Sequence, residues 1–335
     1  MRSLTGGGAF TAKNISDLNA NFTEVLAGIT PGAIIYCWPG YTSLQSAALQ
    51  DGSQSNPFST LLAAYNATTA ANNDVVVLVG NGGTTGTARV EAAFTWSKSA
   101  THLIGVTAPV YYSQRARIAP TGSTTAFTPF FTISGSGCVF RNIQWWHGFD
   151  TGTTSSLNVV VSGSRNLFAN CHFAGMGDAA SAQSAGSRSL KIGSGGSGEN
   201  VFVDCVIGID TVTRTAANAS VEFAGATARN VFRNCLFPLM TSSATVLGVL
   251  GTGNGCVDRH NVFDNCSFVN AVSSTSTAMT VLGSFTTASP GGLLLYKQCI
   301  LVGITDYGDT NALANSYVDG FTGAAATSGI AVKPS

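Results

Sequence analysis

Between Phe140 and Cys299 the chain repeats one short arrangement of apolar and polar positions: an aromatic residue, any residue, then Asn, Asp or Gln, then Cys. The copies are Phe168-Ala169-Asn170-Cys171, Phe202-Val203-Asp204-Cys205, Phe232-Arg233-Asn234-Cys235, Phe263-Asp264-Asn265-Cys266 and Tyr296-Lys297-Gln298-Cys299. An earlier copy, Phe140-Arg141-Asn142-Ile143, has Ile in the place of the cysteine. Successive copies stand 28, 34, 30, 31 and 33 residues apart. A period of this length marks a solenoid, whose turns bury by stacking what no turn buries alone. Two residues after the cysteine position comes another large apolar residue: Trp145, Phe173, Ile207, Phe237, Phe268 and Leu301. Upstream of each copy lies a further short apolar or alternating run, among them Phe131-Thr132-Ile133, Val159-Val160-Val161, Leu190-Lys191-Ile192 and Val221-Glu222-Phe223. Such runs read as half-buried strands. The pattern therefore predicts three short strands per turn, an all-β parallel β-helix.

Within the frame the aromatic and the cysteine point inward, and the residue between the aromatic and the bend points out. Phe140, Phe168, Phe202, Phe232, Phe263 and Tyr296, with Cys171, Cys205, Cys235, Cys266 and Cys299, form the expected core ladder. Asn142, Asn170, Asp204, Asn234, Asn265 and Gln298 form the expected turn ladder, because Asn tolerates a left-handed bend and its amide can bond neighbours above and below. The residue after the cysteine position faces outward and reads Gln144, His172, Val206, Leu236, Ser267 and Ile300. Val206, Leu236 and Ile300 make that strip more apolar than solvent favours, which predicts a subunit interface, with a cyclic homotrimer as its natural form.

Composition narrows the picture. Of 335 residues, 44% are apolar and only 10% charged, with Lys+Arg and Asp+Glu balanced at 16 each. No global field favours nucleic acid or an anionic membrane, and no apolar run approaches the roughly 20 residues that cross a bilayer. The first residues, Met1-Arg2-Ser3-Leu4-Thr5-Gly6-Gly7-Gly8, lack an apolar signal-peptide core, so we expect a soluble protein made in a cytoplasm. Five of the eight cysteines fall on the ladder at strand spacings of roughly 4.8 Å. A disulfide needs Cβ atoms about 3.8 Å apart with a defined torsion, so we expect a reduced, buried stack. Without a CxxC pair or a Cys/His cluster, no metal or cofactor is expected.

Before the repeats, Ile15, Leu18, Phe22, Val25, Leu26 and Ile29 fall at helical spacing behind Asn14 or Ser16. Residues 1–30 are thus expected to be an arm with a short amphipathic helix, an anchoring element or a cap. Residues 31–305 are expected to form the β-helix, and residues 306–335, which break the frame, a C-terminal cap or interaction tail. The stretch Gly52-Ser53-Gln54-Ser55-Asn56-Pro57-Phe58-Ser59-Thr60-Leu61-Leu62-Ala63-Ala64-Tyr65, followed by Asn73-Asp74-Val75-Val76-Val77-Leu78-Val79, resembles the opening of the pectate-lyase-like superfamily. Those proteins begin with a Gly/Ser/Asn-rich loop, a "PF.TL..A" capping helix and a "D.V.L" strand, and His102-Leu103-Ile104-Gly105 fits the "L.G" of the following turn. The resemblance covers roughly residues 52 to 301 and implies a right-handed single-stranded parallel β-helix with short N-terminal helices. It implies little about function, since that fold hosts lyases, hydrolases, phage spikes and inert virion parts.

Enzymes of this superfamily place acidic calcium ligands near a basic residue, or pair aspartates, on one outer face. Asp150 and Asp178 both lie seven residues past the cysteine position and Asp210 five past it, so they are the weak catalytic or calcium-binding candidates, with His147 nearby. Their Gly-rich surroundings equally suit turn residues, since Asp bonds its own backbone there. Asp258-Arg259-His260 is the densest charged cluster and reads as solvated loop charge. Of Trp145-Trp146, a possible sugar platform, one must face the core. The reading is a non-enzymatic structural protein. The opening Gly8-Ala9-Phe10-Thr11-Ala12-Lys13-Asn14-Ile15-Ser16-Asp17-Leu18-Asn19 resembles amino-terminal segments of phage structural proteins. Together with the scarcity of charge clusters, the missing signal-peptide core, the lack of an evident catalytic face and the apolar outer strip, that likeness leads us to expect a virion component made in the host cytoplasm, a trimeric capsid decoration protein bound to the major capsid or another virion protein. The alternative is a tailspike that binds or depolymerises polysaccharide.

Overall fold

The computed structural model describes residues 32–42, 46–108, 112, 116–121, 128–148, 155–193, 197–270 and 277–319. The anchoring residues Ile15, Leu18, Phe22, Val25 and Leu26, and the acidic candidate Asp150, lie outside them. The described chain winds into an all-β parallel solenoid of three sheets. Sheet A has ten strands, from Ile34–Cys37 to Ser316–Val318, and contains the aromatic of every frame. Sheet B has eight, from Ala88–Val90 to Ile300–Val302, each following the bend. Sheet C has eight, from Phe94–Trp96 to Ile304–Gly308. A further short pair joins Thr227–Ala228 to Val257–Asp258. Every strand pairing is parallel and joins one turn to the next in register, as in Phe140 to Phe168, Phe202, Phe232, Phe263 and Tyr296.

The frame folds as its residue types dictate. The six ladder aromatics are essentially inaccessible, and their rings stack along the axis at centroid separations of 4.5 to 5.1 Å with interplanar angles of 5 to 13°. Asn142, Asn170, Asp204, Asn234, Asn265 and Gln298 all adopt φ between 50 and 55°. This left-handed geometry turns the chain from sheet A into sheet B, and Asn and Asp adopt it at lower cost than other residues with a Cβ. The thiols lie just inside the bend. Each Sγ donates to the carbonyl of the ladder aromatic one turn earlier, at 3.4 to 3.5 Å, from Cys171 on Phe140 through Cys299 on Phe263. All eight cysteines are free, and seven are buried. Burial raises the Cys205 and Cys235 thiols well above their ordinary value, which keeps them protonated as donors.

The ends are closed by short helices. Leu61–Asn66 is capped by Thr60, whose side chain accepts from the Ala63 amide at 3.2 Å, and it turns Leu61, Ala64 and Tyr65 onto the first turns of the core. The "D" of the following strand is structural: Asp74 accepts from the Ala33 and Thr69 amides at 2.7 and 2.6 Å and from the Asn72 side chain at 2.7 Å. Gly105 is fixed by crowding, because a Cβ there would overlap the Asn142 carbonyl and the Ala116 side chain. At the other end the frame is lost after Gln298-Cys299, yet the stack continues. Ile304–Gly308 adds to sheet C, Ser316–Val318 adds to sheet A, and Thr310–Ala314 spans them with Asp309 as its N-cap.

Candidate functional site

A ladder that the frame did not reveal runs through the core at the opposite corner. Asn166, Asn200, Asn230 and Asn261 stand two residues before the ladder phenylalanines and are at most 1% exposed. The Asn200 side chain accepts from the Asn166 backbone amide at 3.0 Å. Asn230 accepts from the Asn200 amide at 3.1 Å and from its side chain at 3.0 Å, and Asn261 accepts likewise from Asn230 at 3.0 and 2.9 Å. The sequence carried the signal: the repeat is Asn-apolar-aromatic-x-Asn/Asp-Cys in four copies. Immediately before these asparagines the chain turns again through left-handed residues, Arg165, Glu199 and Arg229 among them. Their side chains pair outside the corner, with Glu199 between Arg165, at 2.8 Å, and Arg229.

The outer face of sheet B holds the strip expected as an interface. Its register aligns Arg117, Gln144, His172, Val206, Leu236, Ser267 and Ile300 in one column. Exposure divides that column. Gln144, His172 and Val206 are 5, 2 and 0% exposed, Leu236 and Ser267 are half-buried, and Ile300 is 57% exposed. Val206 is therefore no interface residue on the free surface, because the chain itself covers it. Gln144 Nε2 and His172 Nδ1 are 3.1 Å apart, and His172 Nε2 lies 2.9 Å from the Gly208 carbonyl. The carbonyl can only accept, so Nε2 donates and Nδ1 accepts from Gln144, a neutral imidazole. The Tyr112 ring packs edge-on against it at 6.3 Å. Two residues beyond Gln144 on the same strand, Trp146 faces out, while the intervening Trp145 is wholly in the core. The Arg117 guanidinium lies 5.7 Å from the Trp146 ring centre and donates from Nε to the Thr87 hydroxyl at 3.1 Å.

The two described acidic candidates, Asp178 and Asp210, are each engaged locally. Asp178 is the N-cap of the helix Ala179–Ala182, accepting from the Ser181 amide at 2.9 Å and its hydroxyl at 2.7 Å. Asp210 is half-buried beside Tyr112, whose phenol is raised by burial first and by the nearby Asp210 carboxylate second. His147 is buried with Nδ1 2.6 Å from the Ser156 hydroxyl. In the charged triplet, Asp258 pairs with Arg259 at 3.0 Å, and Arg259 occupies a left-handed bend.

The strongest buried charges are elsewhere, over the start of the sheet C strands. Glu222 accepts from Arg188 at 2.6 Å and Lys191 at 2.9 Å, and from the Thr252 hydroxyl at 2.8 Å. Burial alone would raise Glu222, but the Lys191 hydrogen bond and the Arg188 and Lys191 charges bring it below the ordinary carboxylate value. Arg214 is 2% exposed and donates to the Asn218 side chain and carbonyl, the Leu247 carbonyl and the Ser220 hydroxyl at 2.6 to 3.0 Å. Burial and, secondarily, the Arg188 charge push it down to about 9. Lys191 and Glu222 are register partners on neighbouring sheet C strands, whereas Arg214 reaches onto that sheet from a loop outside the repeat. Among the described residues no group of three or more His, Cys, Asp or Glu is placed to hold a metal ion, and no helix is long and apolar enough to cross a membrane.

No family model matches the chain, and no curated protein matches it in sequence. Among solved structures it is similar to pectate lyase Pel9A, with a TM-score of 0.53 and 15% identity over 82% of this chain and 64% of that one. It is also similar to the pectin methylesterase PemA from Erwinia chrysanthemi (TM-score 0.49, 14% identity, 91% of this chain and 94% of that one). A third likeness is to the ORF18 protein of Geobacillus virus E2 (TM-score 0.43, 12% identity, 93% of this chain and 65% of that one). The winding of parallel strands and the likeness to Pel9A together give this chain the pectate-lyase-like parallel β-helix fold.

Proposed function

We propose that the chain is a non-enzymatic structural protein of a bacteriophage virion, a trimeric decoration protein that binds and stabilises the capsid surface. The observation that carries this reading is where the polar groups are used. The asparagines bond the asparagines of neighbouring turns, the thiols bond carbonyls one turn away, and Glu199, Glu222 and Asp264 each sit between two cations. Asp178, the described member of the aligned acidic pair, is occupied as a helix cap. Side chains spent in this way lock turn to turn, which suits a strut. The low charge and the phage-like opening segment support the same reading. The test is quantitative mass spectrometry of purified particles, with rebinding of the recombinant protein to particles that lack it. Hundreds of copies per particle and saturable rebinding to the shell are expected. Absence from particles, or a handful of copies confined to the tail, overturns the decoration role.

A second reading, a tailspike that binds or cleaves host polysaccharide, draws on the outward Trp146 ring with Arg117 beside it, an arrangement suited to stacking a sugar. Release of oligosaccharides from a capsule or lipopolysaccharide preparation, lost on Asp150→Asn or Asp178→Asn, would establish it in place of the first.

A further inference from the structure

Sheet A begins one strand before the other two. Its first strand, Ile34–Cys37, lies beneath Asp74–Val79, whereas among the described residues no strand pairs with the outer edge of Ala88–Val90 in sheet B or of Phe94–Trp96 in sheet C. An uncovered edge of this kind invites pairing with another chain. The helix Leu61–Asn66 covers part of that end, with the Tyr65 ring 4.7 Å from Trp96 and 5.5 Å from Phe94. At six residues it is only about 9 Å long. Beside it a groove of about 380 Å³ stays open, between its outer side and the connection from sheet B to sheet C. Val90 and Phe94 are the covered part of the lining, and Leu62, Ala92 and Ala93 the exposed part, with Leu62 56% exposed. The two charges at the groove are not aimed at a ligand: Arg89 donates from Nη1 to the Pro120 carbonyl at 2.8 Å, and Glu91 is exposed. A lining of methyl groups with few polar contacts fits the apolar face of a helix.

The winding of the chain says what reaches this groove. In each turn the chain enters sheet A from sheet C: four residues separate Trp96 from Thr101, and five separate Ile133 from Val139 and Val161 from Leu167. Four residues likewise separate Ile34, the start of the first sheet A strand, from Ile29, the last of the apolar residues at helical spacing. The direction and length of that link bring the helical stretch beneath the first sheet C strand, where the groove lies. The link is held at its far end, where the Gly32 amide donates to the Asn73 carbonyl at 2.9 Å and the Ala33 amide to the Asp74 carboxylate at 2.7 Å. Pro31 stands two residues past Ile29 and disfavours helical geometry at Thr30, which marks a helix end there. On a helix, Ile15, Leu18, Phe22, Val25, Leu26 and Ile29 fall in one stripe about 100° wide, with Asp17 and Glu24 outside it.

We propose that residues 15–29 are a second cap of the solenoid, a helix that lays Phe22, Val25, Leu26 and Ile29 in the groove beside Leu61–Asn66. The inference makes these residues part of the fold rather than an anchor on another protein, and it does not depend on the virion reading. Thiol accessibility in the full chain tests it, in a Cys299→Ser background because the other native thiols are buried. Leu26→Cys should react with Ellman's reagent at least tenfold more slowly than Glu24→Cys on the opposite side of the helix. Adding Leu62→Glu and Ala93→Glu in the groove should abolish that difference, with an unchanged far-ultraviolet circular dichroism spectrum. Where the groove variant fails to fold, Leu26→Glu in the full chain replaces it, and hydrogen exchange of the backbone amides from Val90 to Phe94 should quicken at least tenfold. Equal reactivity at residues 26 and 24 would leave the helix free for a partner, and protection that rises with protein concentration would seat it on a second copy. Either result, protection that survives the folded groove variant, or unchanged exchange at Val90 to Phe94 would overturn the proposal.

Discussion

At the scale of single residues, the cysteines do packing work. Along the ladder their thiols sit in the core and donate to carbonyls one turn away, and burial holds Cys205 and Cys235 protonated, which suppresses their thiolate chemistry. Cys299, at the end of the column, alone is half-buried. Ellman's reagent is therefore expected to modify at most Cys299 in the native protein, and all eight thiols only after denaturation. Rapid native labelling of several thiols would show that the core is open. His102 sets a pH dependence. It is 1% exposed, its Nδ1 accepts from the Val139 amide at 3.0 Å, and its Nε2 lies 3.3 Å from the Asn73 side-chain oxygen. Burial lowers it to about 4 against the partial opposition of the Asp74 charge. The unfolded chain, with an ordinary value near 6.5, then binds more protons between these limits. The stability this histidine contributes is full above pH 6.5 and falls as the pH drops to about 4. Thermal melting across this range should decline in wild type, and the decline should be shallower in His102→Gln.

At the scale of the element, each turn is set by two corners with different consequences. The corner with Asn234 and Asn265 is exposed, and its amides bond each other at 2.9 Å in competition with water. The corner with Asn200, Asn230 and Asn261 is sealed. Asn230→Ala leaves the buried Asn200 amide groups without their acceptor, and an unpaired buried group costs about 1–3 kcal/mol. Asn265→Ala removes an exposed bond and sets Ala at φ 53°, a strain of about 1–2 kcal/mol. In urea unfolding, Asn230→Ala should lose more stability than Asn265→Ala, and Asn265→Gly should lose little. The reverse order would show that the outer ladder holds the turns. Both ladders are periodic in the sequence, but only one was legible through the cysteine beside it. The Asn two residues before four of the six aromatics was hidden because a polar residue next to an apolar strand reads as loop, although here its partner lies one turn away.

At the scale of the whole molecule, stacking makes each turn depend on its neighbours, so both ends must be closed. The helices Leu61–Asn66 and Thr310–Ala314 lie at the two ends of the stack, and the strands after Val302 complete a turn that carries no frame. That turn was not legible, because its strands take their register from the turn beneath. The apolar outer strip shows the same limit. Val206, Leu236 and Ile300 were equivalent in the alignment, yet they are 0% exposed, half-buried and 57% exposed, because loops cover one end of sheet B and not the other. The Arg214 network was likewise invisible, since Arg214 lies in a loop outside the repeat, whereas Lys191 opposite Glu222 follows from aligning the two sheet C strands. The sequence by itself determined the period, the inward and outward face of each strand, the left-handed bends and the fate of the thiols. These follow from side-chain volume, alternation and the φ that Asn accepts, all local to a few residues. Which outward faces are covered, and where the buried Arg214 finds its partners, came only with the folded chain. Those depend on contacts between residues some thirty positions apart, and the loops that set them have no repeat.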